Sequence, residues 1–162
     1  MQNLTGTGVA LITPFDQYEK IDHQGIENLV NHCVAGGVDY LVVMGTTGEN
    51  PTLTVSEKVE MLQSVQRVND SRLPIVYGIG GNNTAGLHQT INDTDFSDID
   101  AILSVSPYYN KPTQEGLYQH YKTLSEAAPV PVIIYNVPGR TGSNITAETT
   151  LRLARNCENI IG

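Results

Sequence analysis

Short apolar runs rich in β-favouring residues recur about every 30 residues, the spacing of βαβ units. They occupy residues 8–12, 40–44, 74–78, 101–105 and 130–135, and a sixth opens at Asn159-Ile160-Ile161-Gly162. Apolar and polar positions do not alternate within them, which marks strands covered on both faces, as in parallel sheets. Helical patterns lie between the runs. Ile26, Leu29, Val30, Cys33 and Val34 form the stripe of a first helix that Gly36-Gly37 ends. Thr54-Val55-Ser56-Glu57 reads as a capping box opening a second helix, with Val59, Leu62 and Val65 on its apolar face. A third segment, 84–96, is the weakest, because Asn92-Asp93-Thr94-Asp95 are poor helix formers. Leu117, Tyr118, Tyr121 and Leu124 mark a fourth helix after Pro112-Thr113, and Leu151, Leu153 and Ala154 a fifth that starts at Thr146.

Strands alternating with helices predict an α/β fold of parallel βαβ units. A doubly wound sheet of five or six strands would be complete in 162 residues, whereas a (β/α)8 TIM barrel of about 250 residues would be present only in part. The net charge of -8 argues against nucleic acid or an anionic membrane as partner. No apolar run approaches the roughly 18 residues of a transmembrane helix, and the opening segment lacks the pattern of a secretory signal. Cys33 and Cys157 are too few and too far apart for a disulfide framework, so a cytoplasmic setting is expected. The Asn-x-Thr triplets are then chance matches. His23, His32, His88 and His120 show no metal-ligand spacing, and His32 and His120 are expected on solvated helix faces.

In both architectures, ligands bind past the C-terminal ends of the strands. Gly45-Thr46-Thr47-Gly48-Glu49-Asn50 follows the second run. Its glycines let the main chain approach a carboxylate or phosphate, and an ordinary turn is the equally weighted alternative. Gly78-Ile79-Gly80-Gly81-Asn82-Asn83-Thr84 lacks the spacing of a dinucleotide fingerprint and reads as a structural turn. Ser106-Pro107-Tyr108-Tyr109-Asn110-Lys111-Pro112 is a stiff aromatic loop, suited either to packing or to proton transfer by a phenol. Tyr135-Asn136-Val137-Pro138-Gly139-Arg140-Thr141-Gly142 puts a phenol at a strand end and then a guanidinium, which is either a bidentate carboxylate ligand or a solvated charge.

The loops that open at Gly45, Ser106 and Tyr135, together with Thr13-Pro14-Phe15, occur in the order and spacing of the dihydrodipicolinate synthase family, which the chain resembles over essentially its whole length. The resemblance implies the N-terminal portion of a (β/α)8 barrel, carrying five βα units and the start of strand six in one domain, 1–162. It implies a class I aldolase that condenses pyruvate with aspartate semialdehyde through a lysine Schiff base, on the path to diaminopimelate and lysine, with neither metal nor organic cofactor. Tyr135 resembles the proton-passing tyrosine, Thr46 and Tyr109 its relay partners, Thr47 the ligand of the pyruvate carboxylate and Arg140 that of the aldehyde's carboxylate. A phenol with a pKa of ~10 is a weak base alone, so a relay is chemically reasonable. The tyrosine matching Tyr109 serves a neighbouring subunit in the family, which implies a homo-oligomer, a dimer or a tetramer.

N-acetylneuraminate lyases and other sugar-acid aldolases share the barrel and the Schiff base. Thr46 and Arg140 together favour the synthase. The family's Schiff-base lysine follows an Ile-Ile-Gly-Ile segment, so its match would fall just beyond Gly162. The chain alone is therefore expected to be inactive as an aldolase. A non-catalytic partial barrel that self-associates is the competing expectation.

Overall fold

The computed structural model describes residues 4–162. Met1, Gln2 and Asn3, part of the opening segment read above for a targeting signal, lie outside the described residues. Five strands, β1 (Gly8–Ala10), β2 (Tyr40–Val43), β3 (Ile75–Gly78), β4 (Ala101–Val105) and β5 (Val132–Tyr135), form one parallel sheet in chain order. Each of the first five expected runs thus contains a strand. Helices α1 (His23–Ala35), α2 (Val55–Asn69), α3 (Thr84–Asp93), α4 (Gln114–Ala127), the single turn α5 (Pro138–Thr141) and α6 (Ala147–Asn156) fill the connections. Among the described residues, no helix is long and apolar enough to cross a membrane.

The chain divides into two compact units, one running to Gly78 and including Asp98–Asp100, the other holding Ile79–Ser97 and Ala101–Gly162. In the first, β1 pairs with β2 and β2 with β3, and α1 packs on α2. Ile26, Val30 and Cys33 are buried as the stripe requires. The capping box of α2 forms as its sequence predicts: Thr54 Oγ1 accepts from the Glu57 N–H, and the Glu57 carboxylate accepts from the Thr54 N–H. Leu62 and Val65 are buried, whereas Val59 is exposed.

In the second unit, Leu117, Tyr118, Tyr121, Ile145, Leu153 and Cys157 form the hydrophobic cluster that holds α4 and α6 over β5. Full burial of such side chains stabilises by about 1.5–3 kcal/mol each. The expected stripe of α6 includes Leu151, but that residue is exposed while Leu153 is buried. The weak third helix forms because Asn83 caps it, accepting from the Gly86 N–H. It stops at Asp93, ahead of the Thr94-Asp95 breakers. No glycine terminates α4. The Asn159 side-chain amide donates instead to the carbonyls of Ser125, Ala128 and Val130. The sixth run begins to pair in parallel with β5: Val132 N–H donates to Asn159 O, and Ile161 N–H to Val132 O.

His120 corrects an expectation. It is not on a solvated face but is 3% exposed inside the second unit, sharing a hydrogen bond with Thr84 Oγ1 at 2.8 Å and meeting Tyr121 edge-on. It stands on the same helical face as Leu117 and Leu124, at the three- and four-residue spacings that bury a side chain. His32 is exposed as expected.

Candidate active site

The loops singled out in the sequence all follow C-terminal strand ends, and each is held by identifiable contacts. In the first unit, Met44 ends β2 in the left-handed region (φ 59) and turns the chain into a 3-10 turn, Thr46–Gly48. Thr46 and Thr47 therefore sit side by side on one tight turn. Thr13, from the Thr-Pro-Phe motif, is buried and donates its hydroxyl to Gly48 O at 2.7 Å, fixing the far side of that turn. Asn50 completes the mount, its side-chain amide donating to Met44 O at 2.8 Å and Gly78 O at 3.1 Å. Gly78 has a steric reason to be glycine: a Cβ there would lie 2.0 Å from the Met44 carbonyl oxygen. Gly78→Ala is expected to destabilise the protein by about 1–3 kcal/mol, as overpacking does, measured by denaturant unfolding. Unchanged stability would show that the β2 and β3 ends are looser than described.

The second unit gathers the other candidates. Tyr135 closes β5, and its carbonyl accepts from the Ser106 N–H at the head of the tyrosine loop. Tyr109 sits in that loop in the left-handed region (φ 70) and is 88% exposed. Lys111 is also left-handed (φ 49). Arg140 lies on α5 and is exposed. The structure joins the tyrosine loop to the arginine turn, because Tyr109 N–H donates to Thr141 O at 3.4 Å and Ser143 Oγ donates to Pro107 O at 2.8 Å. Sequence reasoning missed α5, Thr141 and Ser143. Pro138 at the head of the turn and Gly142 just past it (φ 67) were the available signals.

A Dihydrodipicolinate synthetase family model matches residues 3–162. The chain belongs to that family. Family membership places these loops on the barrel expected from the sequence: the structures of solved dihydrodipicolinate synthases superpose on nearly the whole chain. The chloride-inhibited enzyme of Acinetobacter baumannii, solved with pyruvate, is 42% identical with a TM-score of 0.94, covering 99% of this chain and 55% of that one. A monomeric dihydrodipicolinate synthase variant is 40% identical with a TM-score of 0.92, covering 97% of this chain and 52% of that one. In sequence, the 4-hydroxy-tetrahydrodipicolinate synthase of Flavobacterium psychrophilum is 54% identical over 162 residues, 100% of this chain and 55% of its own length. The chain thus spans about half the length of such relatives. Among the described residues, no group of three His, Cys, Asp or Glu side chains is placed to hold a metal ion.

Burial shifts several ionisable groups outside the loops, Tyr77 and Lys58 among them. Desolvation pushes the Tyr77 phenol on β3 up to about 12 and lowers the pKa of Lys58 on α2. A raised phenol stays protonated throughout the working range and serves as packing.

Proposed function

We propose that residues 1–162 form the first part of a single barrel domain in a 4-hydroxy-tetrahydrodipicolinate synthase, an intracellular lyase that condenses pyruvate with aspartate semialdehyde. The observation that carries the reading is the mount of the two loops in the second unit. A strand-end tyrosine, a left-handed exposed tyrosine and an exposed arginine occupy loops stitched to each other, in the order the family's motifs require. In this reading Tyr135 passes protons, with Thr46 and Tyr109 as relay partners. Thr47 holds the pyruvate carboxylate, and Arg140 takes the carboxylate of the aldehyde as a bidentate ligand. The exposure of Tyr109 suits a side chain offered to a neighbouring subunit, so the complete enzyme works as a homo-oligomer. The covalent step is attack of a lysine amine on the keto carbon of pyruvate, which expels water and leaves a methyl group acidic enough to add to the aldehyde. That step needs no metal or organic cofactor.

The nucleophile comes from the remainder of the complete polypeptide. The lysines of this segment are Lys20, Lys58, Lys111 and Lys122. Lys58 and Lys122 are on helices, Lys111 is in the tyrosine loop, and Lys20 precedes α1. Burial lowers the pKa of Lys58, the property that favours an amine nucleophile, which makes it the stringent control. Borohydride reduction with pyruvate, followed by peptide mass spectrometry, is expected to leave all of these unmodified and to label one lysine in the complete polypeptide. A pyruvate adduct on Lys58, or on any other lysine of residues 1–162, would falsify the assignment. Comparing condensation with aspartate semialdehyde against cleavage of sugar acids separates the synthase from the sugar-acid aldolases.

A further inference from the structure

We propose that Ser143 is a positioning residue that couples the arginine turn to the tyrosine loop, so that Arg140 and Tyr109 are set as one unit. The inference rests on the synthase reading for its catalytic consequence, but its structural part stands without it.

Two of the residues from Tyr109 to Lys111 hold left-handed backbone without being glycine. Such residues cost of order 1–3 kcal/mol each and persist only where the surroundings over-determine them. The tyrosine loop is fixed on one side by Asn82, whose amide donates to Tyr108 O at 3.2 Å. On the other side it is fixed from the turn that bears Arg140. There the Ser143 hydroxyl, on a residue 7% exposed, donates to Pro107 O at 2.8 Å, and the Thr141 carbonyl accepts from the Tyr109 N–H. Ser143 is itself held, since the Thr141 hydroxyl donates to its carbonyl at 2.8 Å and accepts from its N–H at 3.3 Å. Thr141 is the residue after Arg140, so a shift of Ser143 moves the arginine turn directly. Both hydroxyls are buried, and buried hydrogen bonds lose most when one partner is removed, because the acceptor is left dry. Arg140 is exposed, and its aim is set by the main chain that carries it.

The test uses the complete polypeptide, as wild type, Ser143→Ala, Ser143→Thr, Arg140→Ala and the Ser143→Ala/Arg140→Ala double variant. Ser143→Ala is expected to raise KM for aspartate semialdehyde about tenfold and lower kcat about tenfold, with KM for pyruvate within about twofold of wild type. Ser143→Thr keeps the hydroxyl and restores both constants. In the Arg140→Ala background Ser143→Ala leaves KM for the aldehyde unchanged, the non-additivity expected of residues that act through one another. Amide exchange at Tyr109 accelerates in Ser143→Ala and not in Ser143→Thr, a readout independent of activity. The proposal is overturned if Tyr109 exchange and both constants match wild type, or if KM for the aldehyde rises equally in both backgrounds. Wild-type protein that fails to condense the two substrates sinks the synthase reading instead, and the exchange measurement still decides the coupling.

Discussion

Replacing Tyr135 by phenylalanine in the complete enzyme is expected to lower kcat by roughly 10²–10⁴, the range a positioned proton-transfer group contributes. Phenylalanine preserves the ring at the end of β5. The Tyr135 contact to the tyrosine loop runs through its main-chain carbonyl, which the substitution leaves in place. The loss therefore isolates the hydroxyl. KM for pyruvate should change little, because the carboxylate is assigned to Thr47, so a fall in kcat without a matching rise in KM is the signature. Steady-state kinetics checks this, and a variant within about threefold of wild type would remove Tyr135 from the proton path.

Acid is the second lever. Burial holds the pKa of His120 down to about 4, against an ordinary value of 6.5. Its Nδ1 shares a hydrogen bond with Thr84, while its Nε2 is buried without a partner among the described residues. A protonated ring would need a partner for that second N–H. The native state therefore binds its proton only below about 4, whereas the unfolded chain binds it below about 6.5. Stability from this group is complete above the unfolded value, falls as pH drops between the two, and levels off below the folded value. The loss amounts to about 3 kcal/mol, a shift of roughly two pKa units or more at 1.36 kcal/mol each. Denaturant unfolding at neutral and acid pH should show His120→Gln with a flatter pH dependence than wild type. Parallel curves would mean that His120 titrates normally.

The strands were legible because each lies in an unbroken apolar run, a pattern that parallel sheets impose and little else mimics. Helix starts were legible where local chemistry sets them, as Thr54 and Glu57 do for α2. His120 was misread because residue type outweighed spacing: a polar side chain was given to solvent although its position on the helix is that of Leu117 and Leu124. Leu151 failed in the opposite sense, an apolar residue on an outward face. The candidate loops could be placed because each directly follows the end of a strand. What ties them together could not. Ser143 and Pro107 are 36 positions apart, and no local pattern announces a bond between them.

Asn159 has a temporal consequence. The end of α4 takes its terminal carbonyl partners from a side chain more than 30 positions downstream. During synthesis, that helix emerges from the ribosome with a frayed last turn and closes it only when the segment beginning the sixth run arrives. At about 5–20 residues per second the wait is on the order of seconds, long compared with helix formation itself.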